Sequence, residues 1–281
     1  MFRFGVNCAL EEVSMRGPVT LHGDIETIAQ QASEIGYDGL ELFIHTPSQY
    51  DPHKLLQTVK KYGLEICNIA TGMEYTLNGL SLISDDATIR RNAIKRLCEH
   101  IDLAKELGSH VIIGIMRGNI PDFYQYEKYE NYLSEGLHQI CSYGEKQNVP
   151  LDIEAIIRYV NNYLNDVPET LAYIDKLGCE NLKIHIDSHL MNVEDKNIAK
   201  SVSMCKGRLG YVHFSDSNRT YPGGGNFDFK TMMDGLMDIG YDGYITIECQ
   251  PRPTPYECAK RAFDYMQHLY QLLLIERMPV D

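Results

Sequence analysis

Glu154, Asp187, His213 and Glu248 stand at or near the ends of four short runs, VPLDIE, LKIHID, GYVHFS and GYITIEC. They are separated by 33, 26 and 35 residues, each gap about the length of one strand and one helix. Carboxylates crowded together repel and raise one another's pKa, and a bound divalent cation removes that conflict. Three oxygen donors and one imidazole suit a fairly hard ion: Mn²⁺ first, then Mg²⁺ or Co²⁺. The set lacks the cysteines of a structural zinc site. Taken singly, each residue reads as a helix cap or an interior hydrogen-bond partner; Asp187 followed by Ser188 is an ordinary way to open a helix. Four ligand types at four successive strand ends are what specify a site.

The elements that must position them are regular. Strand-like runs occur at 3–8, 39–44, 64–70, 110–115, 149–154, 182–187, 210–215 and 243–249. Helical spacing fills 24–35, 53–61, 88–107, 129–147, 168–177, 229–238 and 257–275. Alternating strands and helices imply a parallel sheet, and eight such units in this length predict one (β/α)8 TIM barrel, a single domain over residues 1–281. Side chains alternate across a strand. Leu151 and Ile153 therefore oppose Asp152 and Glu154, Ile184 and Ile186 oppose His185 and Asp187, and Ile245 and Ile247 oppose Thr246 and Glu248. With the apolar face on the helices, the polar face points into the barrel. All four residues converge at its mouth, the C-terminal ends of the strands where such barrels carry their chemistry. An internal echo, EIGYDGLELF at 34–43 and DIGYDGYITI at 238–247, predicts one helix-to-strand connection used twice, with glycine ending each helix.

Composition excludes several classes. The chain of 281 residues has a net charge of −13 and no basic cluster, which argues against nucleic acid as a partner. No apolar run approaches the roughly 18 residues of a membrane span, and MFRFGVNCAL enters a strand pattern without a signal peptide. The eight cysteines form no C-x-x-C pair and several lie in apolar patterns, which predicts buried free thiols and a cytoplasmic setting.

The segments GLSLISDDATIRRNAIKR (79–96), VIIGIMRG (111–118), HFSDSNRTYPGGGNFDF (213–229) and ITIECQP (245–251) resemble the xylose-isomerase-like barrels of sugar isomerases and epimerases. Within that family the ketose 3-epimerases are most similar. The resemblance implies a metal held by Glu154, Asp187, His213 and Glu248, with Glu154 and Glu248 as acid and base. It implies Arg219, in DSNR, as a contact to substrate oxygens. The implied reaction is epimerisation or isomerisation of a ketose or keto sugar acid. A proton leaves the carbon next to the carbonyl, and the metal stabilises the enediolate. A homo-oligomer is also implied.

Two positions depart from the family's pattern. The usual E-P-L-N-R-Y-E reads EAIIRYV here, so Val160 replaces a substrate-side glutamate. The usual D-T-F-H-M-N reads DSHLMN, so Leu190 holds the histidine position and His189 stands one place early. If the loop keeps its usual shape, His189 turns away. If it shifts by one residue, His189 reaches the substrate. Arg117, after the fourth strand, is a candidate for holding an anionic substrate group, against a surface ion pair. YPGGGNF (221–227) reads as a loop near the site rather than a phosphate cradle, because no P-loop lysine follows.

The departures keep other functions in view. Relatives with an enolising metal site cleave C-glycosides together with a small partner subunit. A non-catalytic sugar-binding barrel is a further alternative. A DNA repair nuclease of the same fold would need three zinc ions, more histidines and a basic face.

Overall fold

The computed structural model describes residues 2–10 and 17–278. Its strands are β1 (Arg3–Ala9), β2 (Leu21–His22), β3 (Gly39–Phe43), β4 (Glu65–Ala70), β5 (His110–Ile113), β6 (Leu151–Glu154), β7 (Leu182–Asp187), β8 (Leu209–Phe214) and β9 (Tyr244–Ile247). The α-helices are α1 (Ile25–Ile35), α2 (Pro52–Lys61), α3 (Gly72–Asn78), α4 (Ala87–Leu107), α5 (Tyr126–Gln147), α6 (Val167–Leu177), α7 (Ser188–Glu194), α8 (Ile198–Met204), α9 (Phe229–Asp238) and α10 (Pro255–Glu276).

Every pairing among these strands is parallel. Neighbours run β2-β1-β3-β4-β5-β6-β7-β8-β9, and β1 also pairs with β9. That pairing, with Arg3 opposite Tyr244 and Val6 opposite Ile247, closes β1 and β3 to β9 into a barrel. The two residues of β2 pair only with the end of β1. All eight predicted strands are present. The eighth stops at Ile247, so Glu248 lies one residue past it, in the loop over the mouth. Three short helices, α3, α7 and α8, were not legible as helical spacing. Each has seven residues, too few for the apolar period to repeat.

The alternation sorts the side chains as expected. Ile153, Ile184, Ile186, Val212 and Ile245 join Leu171, Ile174, Met232 and Leu236 in one apolar core between strands and helices. The opposite faces carry buried polar groups, which must be paired. Tyr211 Oη lies 2.5 Å from Thr246 Oγ1 and 3.0 Å from Cys67 Sγ. Asp152 Oδ2 takes Asn68 Nδ2 at 3.2 Å and His110 Nδ1 at 2.9 Å.

The sequence echo is a structural one. Gly36 ends α1 at φ 112° and Gly240 follows α9 at φ 73°, both in the left-handed region that glycine enters without strain. The eight cysteines are unpaired, and Cys98 and Cys179 alone among them are partly exposed. Among the described residues no helix is long and apolar enough to cross a membrane.

Candidate active site

Asp187 serves two neighbours at once. Its Oδ1 accepts the backbone N–H groups of His189 (2.7 Å) and Leu190 (3.1 Å), capping α7. Its Oδ2 faces the barrel mouth, 2.8 Å from Arg219 Nη1. The cap reading of this residue is met by one oxygen, and the other oxygen is left for the mouth. Ser188 fixes the turn by donating to Ser215 O at 2.7 Å, and its Oγ accepts from Ser215 N at 2.9 Å. The start of α7 is thus tied to the end of β8.

His213, on β8, is buried, and its Nε2 lies 2.7 Å from Glu41 Oε2. Its Nδ1 has no hydrogen-bond partner. That nitrogen points between Glu248 Oε2 at 3.6 Å and Asp187 Oδ2 at 3.9 Å. Burial opposes a charged imidazole, but the Glu41 and Glu248 carboxylates raise the His213 pKa well above its ordinary value. Sequence reading missed Glu41. Its signal was present in GLELF, where a lone glutamate alternates with Leu40 and Leu42 on the inward face of β3.

Glu154 ends β6 with its side chain at the mouth. A Cβ on Gly114 would lie only 3.0 Å from Glu154 Oε2, so the glycine leaves this carboxyl its room. His185, one strand over, is buried with neither ring nitrogen paired. It packs edge-on to His213 with ring centres 4.2 Å apart, and its Nδ1 is 3.8 Å from Glu154 Oε1. Burial, then the neighbouring His213, keep the His185 pKa well below that of a free imidazole. Burial and the Glu248 carboxylate push Glu154 up to about 8. Burial also opposes ionised Glu248, yet Arg219 and His213 outweigh it and hold Glu248 below the usual range. Arg219 donates to both Asp187 and Glu248, and its backbone accepts from Gln250 N at 2.9 Å.

Among the described residues two overlapping clusters could hold a cation: the ligand atoms of Glu41, His213 and Glu248 lie within 4.8 Å of one another, as do those of Glu154, His185 and His213, and Asp187 is in neither. The buried, unpartnered Nδ1 of His213 aims at the carboxylates rather than at a protein donor. A second carboxylate on Nε2 is the usual way a metal-binding imidazole is oriented.

A cavity of about 560 Å³ opens beside these residues. Glu154, His213, Arg219 and Glu248 face it, together with Val19, Phe43, Met73, Leu77, Ile115, Ile156, Val160 and Leu190. The wall of the cavity holds Leu190, not His189. The loop keeps the unshifted register, and His189 turns away with Nδ1 3.2 Å from Asp216 O. His189, in the first turn of α7, does not line the cavity. The reading of Arg117 is corrected. It is fully buried and donates to the carbonyls of Glu154, Leu164 (3.0 Å) and Tyr163 (3.3 Å), so it neither faces the cavity nor forms a surface pair. The glycine loop at 221–227 folds round Asp216, whose carboxylate accepts Gly223 N at 2.9 Å and Phe227 N at 3.0 Å.

Residues 29–269 match the family model described as the xylose isomerase-like TIM barrel. The chain belongs to this family. It is 30% identical over 220 residues to the L-ribulose 3-epimerase of Methylomonas sp. (strain DH-1), covering 77% of this chain and 75% of that one. It is 24% identical over 254 residues to the L-ribulose 3-epimerase of Mesorhizobium japonicum, covering 88% and 81%. The crystal structure of D-allulose 3-epimerase from Methylomonas sp. in complex with D-allulose superposes with a TM-score of 0.80 at 23% identity, over 96% of this chain and 98% of that one. In this chain Glu154, His213, Arg219 and Glu248 line the cavity at the barrel mouth, with Val160 and Leu190 on its wall.

Proposed function

We propose that this chain is a divalent-cation-dependent epimerase of keto sugars that exchanges the proton on the carbon next to the carbonyl. One observation carries the reading: two carboxyl groups, Glu154 and Glu248, face the same cavity as Arg219 and the unpartnered Nδ1 of His213. The named epimerase relatives support it. Glu154, Asp187, His213 and Glu248 would hold the cation, with Mn²⁺ the first choice for this mixed donor set. Bound there, it would act as a Lewis acid on the substrate's carbonyl oxygen.

The chain's own residues do the rest. Glu154 comes from β6 and Glu248 from the loop after β9, so the two carboxyls approach the cavity from different sides of the barrel. One takes the proton from one face of the substrate carbon, and the other returns a proton to the opposite face. Arg219, anchored on Asp187 and Glu248, directs its remaining donors at substrate oxygens. The Asp187 carboxyl is held in place by the α7 amides on its far oxygen.

The reading is tested by solvent-deuterium incorporation, followed by NMR with Mn²⁺-supplemented protein. Glu154→Gln and Glu248→Gln should each slow exchange by about 10²-fold or more while substrate binding changes little. Near wild-type exchange in both variants would remove the mechanism.

A further inference from the structure

One buried side chain at the barrel mouth has no part in the proton-transfer scheme. His185 lies on the inward face of β7, two residues before Asp187, and is fully buried. Neither of its ring nitrogens has a hydrogen-bond partner. An imidazole carries at least one N–H, and the neutral ring carries a lone pair as well. Leaving both bare in the interior costs stability, so the ring calls for a ligand.

The polar neighbours of His185 are engaged elsewhere. Tyr211 Oη, on the adjacent strand, lies 2.5 Å from Thr246 Oγ1 and 3.0 Å from Cys67 Sγ. His213 Nε2 faces Glu41, and the oxygens of Asp187 meet the α7 amides and Arg219. Glu154 Oε1 stands 3.8 Å from His185 Nδ1, too far for a hydrogen bond. That spacing suits two atoms on one ion. Ligand atoms each about 2.1 Å from a cation stand about 3–4 Å from one another, according to the angle between them. His213 Nδ1 keeps the same spacing from Glu248 Oε2, 3.6 Å, and from Asp187 Oδ2, 3.9 Å.

The strand register brings the two imidazoles together. Opposite the step from Ile184 to His185, β8 carries one extra residue, Gly210. A Cβ there would collide with Asp152 Oδ1, so only glycine fits. Beyond this bulge Tyr211 pairs with His185 and His213 with Asp187. The His185 and His213 rings then meet edge to face, 4.2 Å between centres.

Resting on the cation-dependent reading above, we infer that His185 is a further ligand of the cation, so that two imidazoles hold it alongside the carboxylates. The second imidazole changes which ion the site prefers. Carboxylate oxygens suit Mg²⁺ and Mn²⁺, whereas imidazole nitrogen suits later first-row ions. With His185 in the set, the site discriminates more strongly for Co²⁺ against Mg²⁺ than His213 alone would allow.

The test uses the full chain, stripped with a chelator and reloaded. Pulsed EPR of the Mn²⁺ form, with ¹⁵N-labelled histidine, should count two coordinated imidazole nitrogens in the wild type. His185→Phe keeps a flat ring against Tyr211 and His213 and removes both nitrogens. It should show one coordinated nitrogen and bind Co²⁺ about tenfold more weakly or worse, since losing even a residue behind a ligand costs that much. Its Mg²⁺ affinity should fall by less than about threefold. A single nitrogen in the wild type overturns the inference whether or not the variant folds, and leaves the Glu154 and Glu248 reading standing. Equal Co²⁺ affinity in the two proteins overturns it as well. Two nitrogens in a protein that exchanges no keto-sugar proton support the inference while the epimerase reading fails. Binding of neither Co²⁺ nor Mn²⁺ overturns both.

Discussion

His213 gives one ring nitrogen to Glu41, at 2.7 Å, and by that contact turns the other toward Asp187 and Glu248. Glu41 thereby fixes the ring's orientation. Glu41→Ala should weaken Mn²⁺ binding about 10- to 100-fold, the usual effect of removing a carboxylate behind a metal-binding imidazole. Glu41→Gln keeps an acceptor on Nε2 and should lose less. Mn²⁺ titration calorimetry checks the order, and equal affinity in all three proteins would refute it.

Asp187→Asn separates the two oxygens of that residue. An amide oxygen still accepts the α7 amides, so the thermal midpoint should change little. The anionic ligand is gone, so metal content should fall from about one ion per chain toward zero. Elemental analysis of untreated protein, with a melting curve alongside, reads both. Full metal content in the variant would remove Asp187 from the ligand set.

Leu190→His combined with Val160→Glu places two polar side chains on the cavity wall. One regained hydrogen bond to a charged group contributes about 1.5–3 kcal/mol, so kcat/KM for D-tagatose or D-fructose should rise about tenfold or more. His189→Ala should stay within about twofold of wild type, because its Nδ1 is turned to the backbone carbonyl of Asp216 and its ring is off the cavity wall. A dead His189→Ala enzyme with no gain in the double variant would reverse the assignment of this loop.

Glu74 predicts an acid transition. This buried carboxylate anchors α3 through Arg96 Nη1 (2.8 Å), Asn78 Nδ2 (2.7 Å), Thr46 N (2.9 Å) and His100 Nε2 (3.1 Å). Burial alone would raise its pKa, but His100, Arg96 and the other donors bring it down to about 2. A depressed folded-state pKa contributes stability above the unfolded value, and that stability is lost as pH falls through the folded value. The contribution is full above roughly pH 5 and gone near pH 2. Urea denaturation of the wild type should therefore steepen in its pH dependence across that window. Glu74→Gln should flatten the dependence, and an unchanged slope would contradict the assignment.

The barrel was readable because strand and helix periods alternate cleanly, as in LKIHID before its loop and GYITIEC before its own. Glu154, Asp187, His213 and Glu248 were readable because a strand end in this architecture is a position in space. Glu41 was not, because attention to strand ends passes over a residue in mid-strand. The partners of Arg117 were equally hidden. Nothing local in IMRG tells whether a guanidinium meets a carboxylate, a substrate or, as here, main-chain carbonyls 37 to 47 residues away. Leu190 and Val160 were visible as departures from a pattern, but their joining one wall with α3 depended on a helix too short to announce itself.

The Arg117 clamp also bears on how such an enzyme changes its diet. The guanidinium grips the carbonyl of Glu154 at one end of a loop and those of Tyr163 and Leu164 at the other, and Val160 lies between them. The two ends of the loop are pinned from the turn after β5, independently of what its middle contains. Val160, half exposed, can therefore be exchanged without moving the Glu154 backbone. Selection can rewrite which substituent is welcomed while the proton-transfer pair is inherited intact, a division of labour within a single loop.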